Sequence, residues 1–293
     1  MKRIQLTGRS IIRISGEDSR AFLQGLISND IDKADGSRGI YAALLTPQGK
    51  FLSDFFIVAD GADLLLDGLK SDAEALIKKL TMFKLRSKAT IEDVTDDHAV
   101  YALLGDGAAD MLTDGKQTKT EDGAILYADP RLAEAGVRVI APAGMDATAL
   151  SGENGSEDDY QKHRISLGLP EAPFDLEKEK SILLESGFDE LSGVDWNKGC
   201  YMGQELTART KYRGLVKKRL FPVTLSRPGV EPGTDVMQDG KVVGEIRSVM
   251  DDRAIAMLRL KAIGGGDMSA DNAVVHPAAP EWMQLPESDD AEA

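Results

Sequence analysis

Cys200 is the one cysteine of this 293-residue chain, and it lies in the run Lys198-Gly199-Cys200-Tyr201-Met202-Gly203-Gln204-Glu205, which continues into Leu206-Thr207-Ala208-Arg209. A thiol reacts as its thiolate, and a cation such as Lys198 favours that form where the two groups converge. Gly199 and Gly203 flank the cysteine, so backbone and sulfur can approach a flat ligand with no Cβ in the way. A lone cysteine is more often a small buried hydrophobe. Here its neighbours are Gly, Lys, Gln, Glu and Arg rather than Val, Leu and Ile, which favours chemistry over packing. The thiol could be a nucleophile, a thiolate that touches a metal cluster, or part of the wall of a binding site. Nucleophilic catalysis asks for a base beside the thiol. His98, His163 and His276 are all distant in sequence, so no dyad is assigned. One thiolate falls short of the four that hold an iron–sulfur cluster, and no zinc-ligand spacing occurs. No resident metal is expected.

The wider composition limits the partners. The net charge is −14, with 42% hydrophobic and 29% charged residues. That balance describes a soluble globular protein and argues against nucleic-acid binding over the whole surface. Charge is nevertheless uneven. From Lys198 to Arg219 stand Lys198, Arg209, Lys211, Arg213, Lys217, Lys218 and Arg219 against a single acid, Glu205. Such a basic island suits a small polyanionic ligand; alternatively, Lys217–Arg219 docks an acidic partner or RNA. No apolar run reaches the ~20 residues of a membrane span. The opening MKRIQLTGRSIIRISG alternates like a strand and has no apolar signal core. With one cysteine there is no internal disulfide, and a cytoplasmic protein is expected.

The elements that must position these residues follow from periodicity. Strands are expected at Ile4–Leu6, Ile11–Ile14, Tyr41–Leu45, Phe51–Val58 and Ala62–Leu69, with a hairpin turn at Pro47-Gln48-Gly49. Amphipathic spacing predicts helices over Glu17–Ile27 and from Ser71 or Asp72 to about Leu85. The pattern then restarts, with strands at Ala89–Val94, Ala99–Leu104 and Gly136–Ile140 and a short helix at Gly107–Leu112. A helix near Glu157–Leu167 stops at Gly168 and Pro170. From Lys218 onward, short strands (Arg219–Leu225, Lys241–Arg247, Ala254–Leu260) alternate with Pro-Gly, Asp-Gly and Asp-Asp turns, which reads as a small β-barrel. The expected organisation is α+β over residues 1–215, a barrel over 216–284 and an acidic disordered tail over 285–293.

The motif K-G-C-Y-x-G-Q-E at 198–205, and the whole block KGCYMGQELTARTKYRGLVKKRLFPV at 198–223, resemble the YgfZ-type folate-binding proteins. These are relatives of the glycine-cleavage aminomethyltransferases, and the likeness is greatest to the mitochondrial branch that matures [4Fe-4S] proteins. The resemblance implies two ferredoxin-like subdomains and a C-terminal β-barrel in a cloverleaf around a central folate channel. It implies tetrahydrofolate as cofactor and iron–sulfur client or assembly proteins as partners. A pterin edge pairs with carboxylate or amide groups, and its glutamate tail seeks cations. Gly199, Tyr201, Gln204 and Glu205 suit the ring, and Lys198 and Arg209, with Arg213 as a further candidate, suit the tail. Leu183-Leu184-Glu185-Ser186-Gly187 resembles the Leu-Glu-Ala-Gly-Leu element of the aminomethyltransferases and adds Glu185. Those enzymes carry an Asp-Asp pair after a glycine turn, where this chain has Ser53-Asp54. Asp54 is left as the candidate acid or base, and the broken pair favours an accessory factor over an aminomethyltransferase or demethylase.

Overall fold

The computed structural model describes residues 1–285; from residue 286 the expected acidic tail lies outside the described residues. The chain divides into two compact units. The first comprises Met1–Thr46, Leu52–Tyr160 and Ser192–Met202, and the second Pro47–Phe51, Gln161–Leu191 and Gly203 onward.

The first unit holds two sheets. One runs in the order Ile40–Leu45, Phe51–Asp60, Asp63–Leu69, Arg9–Ser15, Thr90–Asp93. One of its faces carries Ile12, Ile14, Ala42, Leu44, Phe55, Ile57, Leu64 and Leu66. Two helices cover that face: α1 (Ser19–Gln24), through Leu23, and α2 (Ala73–Lys84), through Leu76 and Leu80. The other sheet runs Glu153–Asn154, Lys2–Gln5, His98–Leu104, Val137–Pro142, Ile125–Ala128, Thr118–Lys119, and only its first pair is parallel. Tyr101, Leu103, Leu126, Val137 and Val139 form its core with Leu112 and Leu150. α3 (Glu157–Ser166) begins in this unit, where the Glu157 carboxylate accepts from the backbone N–H and hydroxyl of Thr7.

The opposite faces of these sheets are also buried, and they carry charge. Asp67 is wholly inside; it accepts from Arg9 Nε at 2.6 Å and Arg138 Nη2 at 2.5 Å. The Arg138 guanidinium lies 3.8 Å from the centre of the Phe56 ring, and Arg131 chelates Asp129 through two N–H groups. Alternation places Arg138 opposite Val137 and Val139, on the face where a single-sided sheet would meet water.

In the second unit, six strands from Lys218–Leu225 to Ala273–Pro277 close into a barrel around Phe221, Val223, Ile246, Ala256 and Leu258. The segment preceding the barrel is fixed by Arg164, which donates to Asp175 at 2.7 Å and to the Leu169 carbonyl at 3.1 Å, and by Trp282, whose indole N–H donates to the Leu167 carbonyl. α4 (Gln204–Tyr212) also belongs here.

The α+β class with a C-terminal barrel agrees with the sequence expectation. Locally the structure adds elements the sequence reading lacked, among them the strands Ile125–Ala128 and Asp235–Gln238 and the helix Gln204–Tyr212, and it differs at two of the expected helices. Gly107–Leu112 is no α-helix but the start of two 3-10 turns, Ala109–Met111 and Thr113–Gly115, which still dock Ala108 and Leu112 on the core of this sheet; a run of six residues is too short to hold an α-helix by itself. The first helix is shorter than expected and ends at Gln24, and Ile27 instead bridges to Leu44.

Candidate functional site

The motif loop is built on the segment that follows α1. Ser28 donates to the Gly193 carbonyl, and Asn29 donates to the Ser192 carbonyl. Asp195 caps the loop by accepting from the backbone N–H groups of Asn197 and Lys198, and its other oxygen meets Lys33 at 2.5 Å. Burial would raise the Asp195 carboxyl, but Lys33 and those N–H groups more than offset it, so its pKa is lowered.

Lys198 then turns inward. Its ammonium donates to the carbonyl oxygens of Gln24 at 2.8 Å, Ile27 at 2.7 Å and Asn29 at 2.7 Å. These are the carbonyls a short helix leaves without partners at its C-terminal end and just beyond it, so one cation caps α1 and pins the loop together. The same ammonium lies 5.2 Å from the centre of the Tyr201 ring, which is buried. Burial lowers Lys198 to about 8, against the pull of Asp30, Asp195 and Asp32. All three of its N–H donors are engaged, so the expected contact with an anionic tail is corrected to an internal anchor. Gly199 and Cys200 stand outward from this anchor, and the thiol is exposed.

Asp54, in the same unit, is buried and accepts a 2.8 Å hydrogen bond from the Tyr41 hydroxyl. Burial first, and the Asp54 charge second, push the tyrosine pKa well up, so it stays a donor. Arg131 lies over the Tyr41 ring at 5.5 Å. Sequence reasoning missed Tyr41 and Arg131. Tyr41 reads from sequence as one apolar residue of a fully buried strand, and only its pairing reveals the hydroxyl's role.

The remaining predicted residues lie in the second unit. Gly203, with φ +82°, opens α4, where Gln204 is half-buried and Glu205 and Arg209 are exposed. The turn at Gly49 meets this helix start so closely that a Cβ there would stand 2.5 Å from Leu206 Cβ and 2.7 Å from the Gly203 oxygen, which only glycine permits. Thr207 and Thr210 face inward, and α4 packs on the 3-10 turn Leu183–Ser186 that carries Glu185. Glu185 is buried with Lys218 3.7 Å away. Its burial raises the carboxyl pKa despite the opposing charges of Lys218 and Lys50. The raised value means that the protonated form favours the fold, so this group's contribution is complete below the unfolded pKa and falls as pH rises through the folded one. Glu185→Gln is therefore expected to raise the melting temperature at pH 7 and leave it unchanged at pH 4, as followed by circular dichroism.

The basic island resolves into distinct roles. Lys211 pairs with Asp189 at 2.7 Å, and Arg219 is buried against Glu190 at 2.8 Å. Arg209, Arg213 and Lys217 are exposed and have no acidic partner among the described residues. Among those residues, no group of three or more His, Cys, Asp and Glu is placed to hold a metal ion.

Taken with its fold, this site has relatives. Residues 5–158 match the family described as GCVT N-terminal domain, and residues 217–285 match CAF17, C-terminal beta-barrel domain. The structure superposes on the glycine cleavage system aminomethyltransferase T from Bartonella henselae with a TM-score of 0.78 over 96% of this chain and 85% of that one, at 14% identity, so the fold is shared. The chain is 35% identical to the mitochondrial iron–sulfur cluster assembly factor IBA57 of Mus musculus over 89% of its own length and 78% of the mouse protein. For the same factor of Homo sapiens the values are 33%, 89% and 78%, and for the Dictyostelium discoideum homologue 30%, 98% and 78%. The chain belongs to the family of these IBA57 proteins. All of these relatives are named as mitochondrial, which overturns the cytoplasmic expectation. A single cysteine excludes an internal disulfide but does not distinguish one compartment from another.

Proposed function

We propose that this chain is a tetrahydrofolate-binding factor for the assembly or repair of iron–sulfur clusters in [4Fe-4S] proteins. The observation that carries this reading is Cys200, a lone exposed thiol on a loop locked from behind by Lys198 and Asp195. Its relatives' names support the iron–sulfur half, and the match to the GCVT N-terminal domain supports the folate half. In this reading the cluster is cargo and its other ligands belong to a client or assembly protein, since one thiolate contributes a single bond to iron. A rigid loop holds that thiolate in one position and gives it up on exchange. Residues 1–215 serve as the folate-binding region and 216–284 as the barrel domain. Neither nucleic acid nor membrane is a partner.

The donor set fits folate in part. Glu185, a desolvated carboxyl beside Lys218, suits the amide-like edge of a pterin, and Gln204 and Glu205 begin the neighbouring helix. Exposed Arg209 suits the glutamate tail, whereas Lys198 has no donor left for it. Bound tetrahydrofolate would supply a one-carbon carrier. The chain's own residues orient the ring through Glu185, and the motif loop keeps the thiol exposed. A second reading, aminomethyl transfer, is favoured by one observation: the buried Asp54 carboxylate held by the Tyr41 hydroxyl is a placed acid–base group.

One experiment separates these readings. Cys200→Ser is expected to keep the melting temperature and tetrahydrofolate affinity of the wild type but fail to restore [4Fe-4S] enzyme activity in cells lacking the native gene. Full restoration would remove the thiol from the mechanism, and no saturable binding at millimolar tetrahydrofolate would remove the cofactor. Turnover of a methylated amine that disappears in Asp54→Asn would install the second reading.

A further inference from the structure

The end of α2 presents a surface that the motif loop does not use. The helix buries Ala73, Leu76 and Leu80 and turns Lys78 and Met82 outward. Leu85 follows as its C-cap, and the three outward residues stand at i, i+4 and i+7. Met82 is 62% exposed and Leu85 is 87% exposed, the highest value among the large hydrophobic residues exposed on this surface. Leu85 also has φ +48° and ψ −110°. A residue with a Cβ holds such a conformation at a cost of about 1–3 kcal/mol, and glycine is the usual solution at a helix C-terminus. Hydrogen bonds on the far side impose the turn: Ser87 N–H donates to the Lys84 carbonyl, and Lys88 N–H donates to the Asp18 carboxylate at 2.7 Å. A leucine here therefore loses backbone energy and recovers none by burial. Folding does not explain its presence, whereas a contact made outside the chain does.

Charge indicates what makes that contact. Between Glu74 and Glu92 there is no acidic residue, while Lys78, Lys79, Lys84, Arg86 and Lys88 all fall in the interval, on a chain of net charge −14. Lys88 pairs with Glu17, and Lys79 stacks toward Phe83. Lys78, Lys84 and Arg86 have no acidic partner among the described residues. We propose that Met82 and Leu85, with these cations beside them in sequence, are apolar anchors for an acidic amphipathic segment of a partner protein, whose apolar face covers them. Apolar anchors at the centre of a polar, charged rim are the usual anatomy of a protein interface. An anionic membrane fits less well, because two apolar side chains anchor weakly against the repulsion of a strongly negative body. This surface does not depend on the folate or thiol reading.

The test uses the full chain and a fluorescein-labelled acidic amphipathic peptide, Glu-Leu-Leu-Glu-Glu-Leu-Phe-Glu, followed by anisotropy at low and high salt. Saturable binding is expected to weaken at least about tenfold in Leu85→Gly and in the double variant Lys84→Glu/Arg86→Glu, and to weaken with salt. Leu85→Gly is also expected to melt no lower than the wild type, since it relieves the strained φ. That separates lost docking from lost folding. Tetrahydrofolate binding should be unchanged in both variants. No binding of the peptide by the wild type, undiminished binding by Leu85→Gly, or flotation of the wild type with vesicles of 70% phosphatidylcholine and 30% phosphatidylglycerol in preference to peptide binding would each overturn the proposal.

Discussion

Asp67→Ala is expected to destabilise the first unit by about 3–5 kcal/mol, the usual consequence of removing one partner from a buried ion pair. The reason lies in what remains. Arg9 and Arg138 both donate to this carboxylate from the interior, and Arg138 is itself fully buried over Phe56. Guanidinium does not discharge at accessible pH, so both cations would lose the carboxylate they share in a low-dielectric region, and Arg138 would keep only the longer 3.9 Å approach to Asp129. Burial would raise the Asp67 pKa, but Arg138 and Arg9 outweigh it and the net shift is downward. A depressed carboxyl contributes stability that is complete above the unfolded value, about 3.9, and is lost as pH falls through the folded one. Wild type should therefore lose its advantage over the variant only in acid, below about pH 4. Urea melts at pH 7 and pH 3 check both statements. A double change of Asp67 and Arg138 to apolar residues of similar volume should recover part of the loss, since a well-packed apolar pair can replace a buried ion pair. Equal melting of wild type and Asp67→Ala at pH 7 would mean that water reaches this interior.

This network also marks where sequence reasoning stops. Arg138 sits in Val-Arg-Val-Ile, and strict alternation sends it to solvent. The sign that it does not go there is Ile140, which shares its face, and the cross-strand neighbours of Arg138, which are Ala102 and Tyr127. A two-sided strand announces itself by apolar residues on both phases, but a charge placed among them is legible only once its counter-charge, 71 residues away in Asp67, is in view. The barrel was easier to read, because its early turns carry Pro-Gly, Asp-Gly or Asp-Asp signals. Its last hairpin, Met268–Ala270 with Ala273–Pro277, turns through Asp271-Asn272 and is too short to show a period. The cysteine motif was legible because it is contiguous. The direction of Lys198 was not, since its partners are backbone carbonyls that carry no residue identity.

That direction yields the second large effect. Lys198→Met keeps the aliphatic stem and removes the ammonium, leaving the carbonyls of Gln24, Ile27 and Asn29 without their donor. With charged hydrogen bonds worth about 1.5–3 kcal/mol each, and part of the loss recovered by water at this half-exposed site, the net cost is about 3 kcal/mol. Lys198→Arg should not rescue it, because a planar guanidinium cannot aim three N–H groups at one convergent set of oxygens. Hydrogen exchange would report the change locally, with protection lost at Asn197 and Lys198, whose N–H groups Asp195 accepts, and at Met202, whose N–H donates to the Gly25 carbonyl. The pH dependence has a definite sign. A lysine at about 8 in the folded state and about 10.4 in the unfolded state binds fewer protons when folded between those values. Its contribution to stability is thus least below pH 8 and grows toward pH 10. The gap in melting temperature between wild type and Lys198→Met should widen over that interval. A constant gap would mean that the three carbonyls hold the proton as firmly as water does. The ammonium would then keep the loop behind Cys200 locked up to the ordinary lysine range, about pH 10.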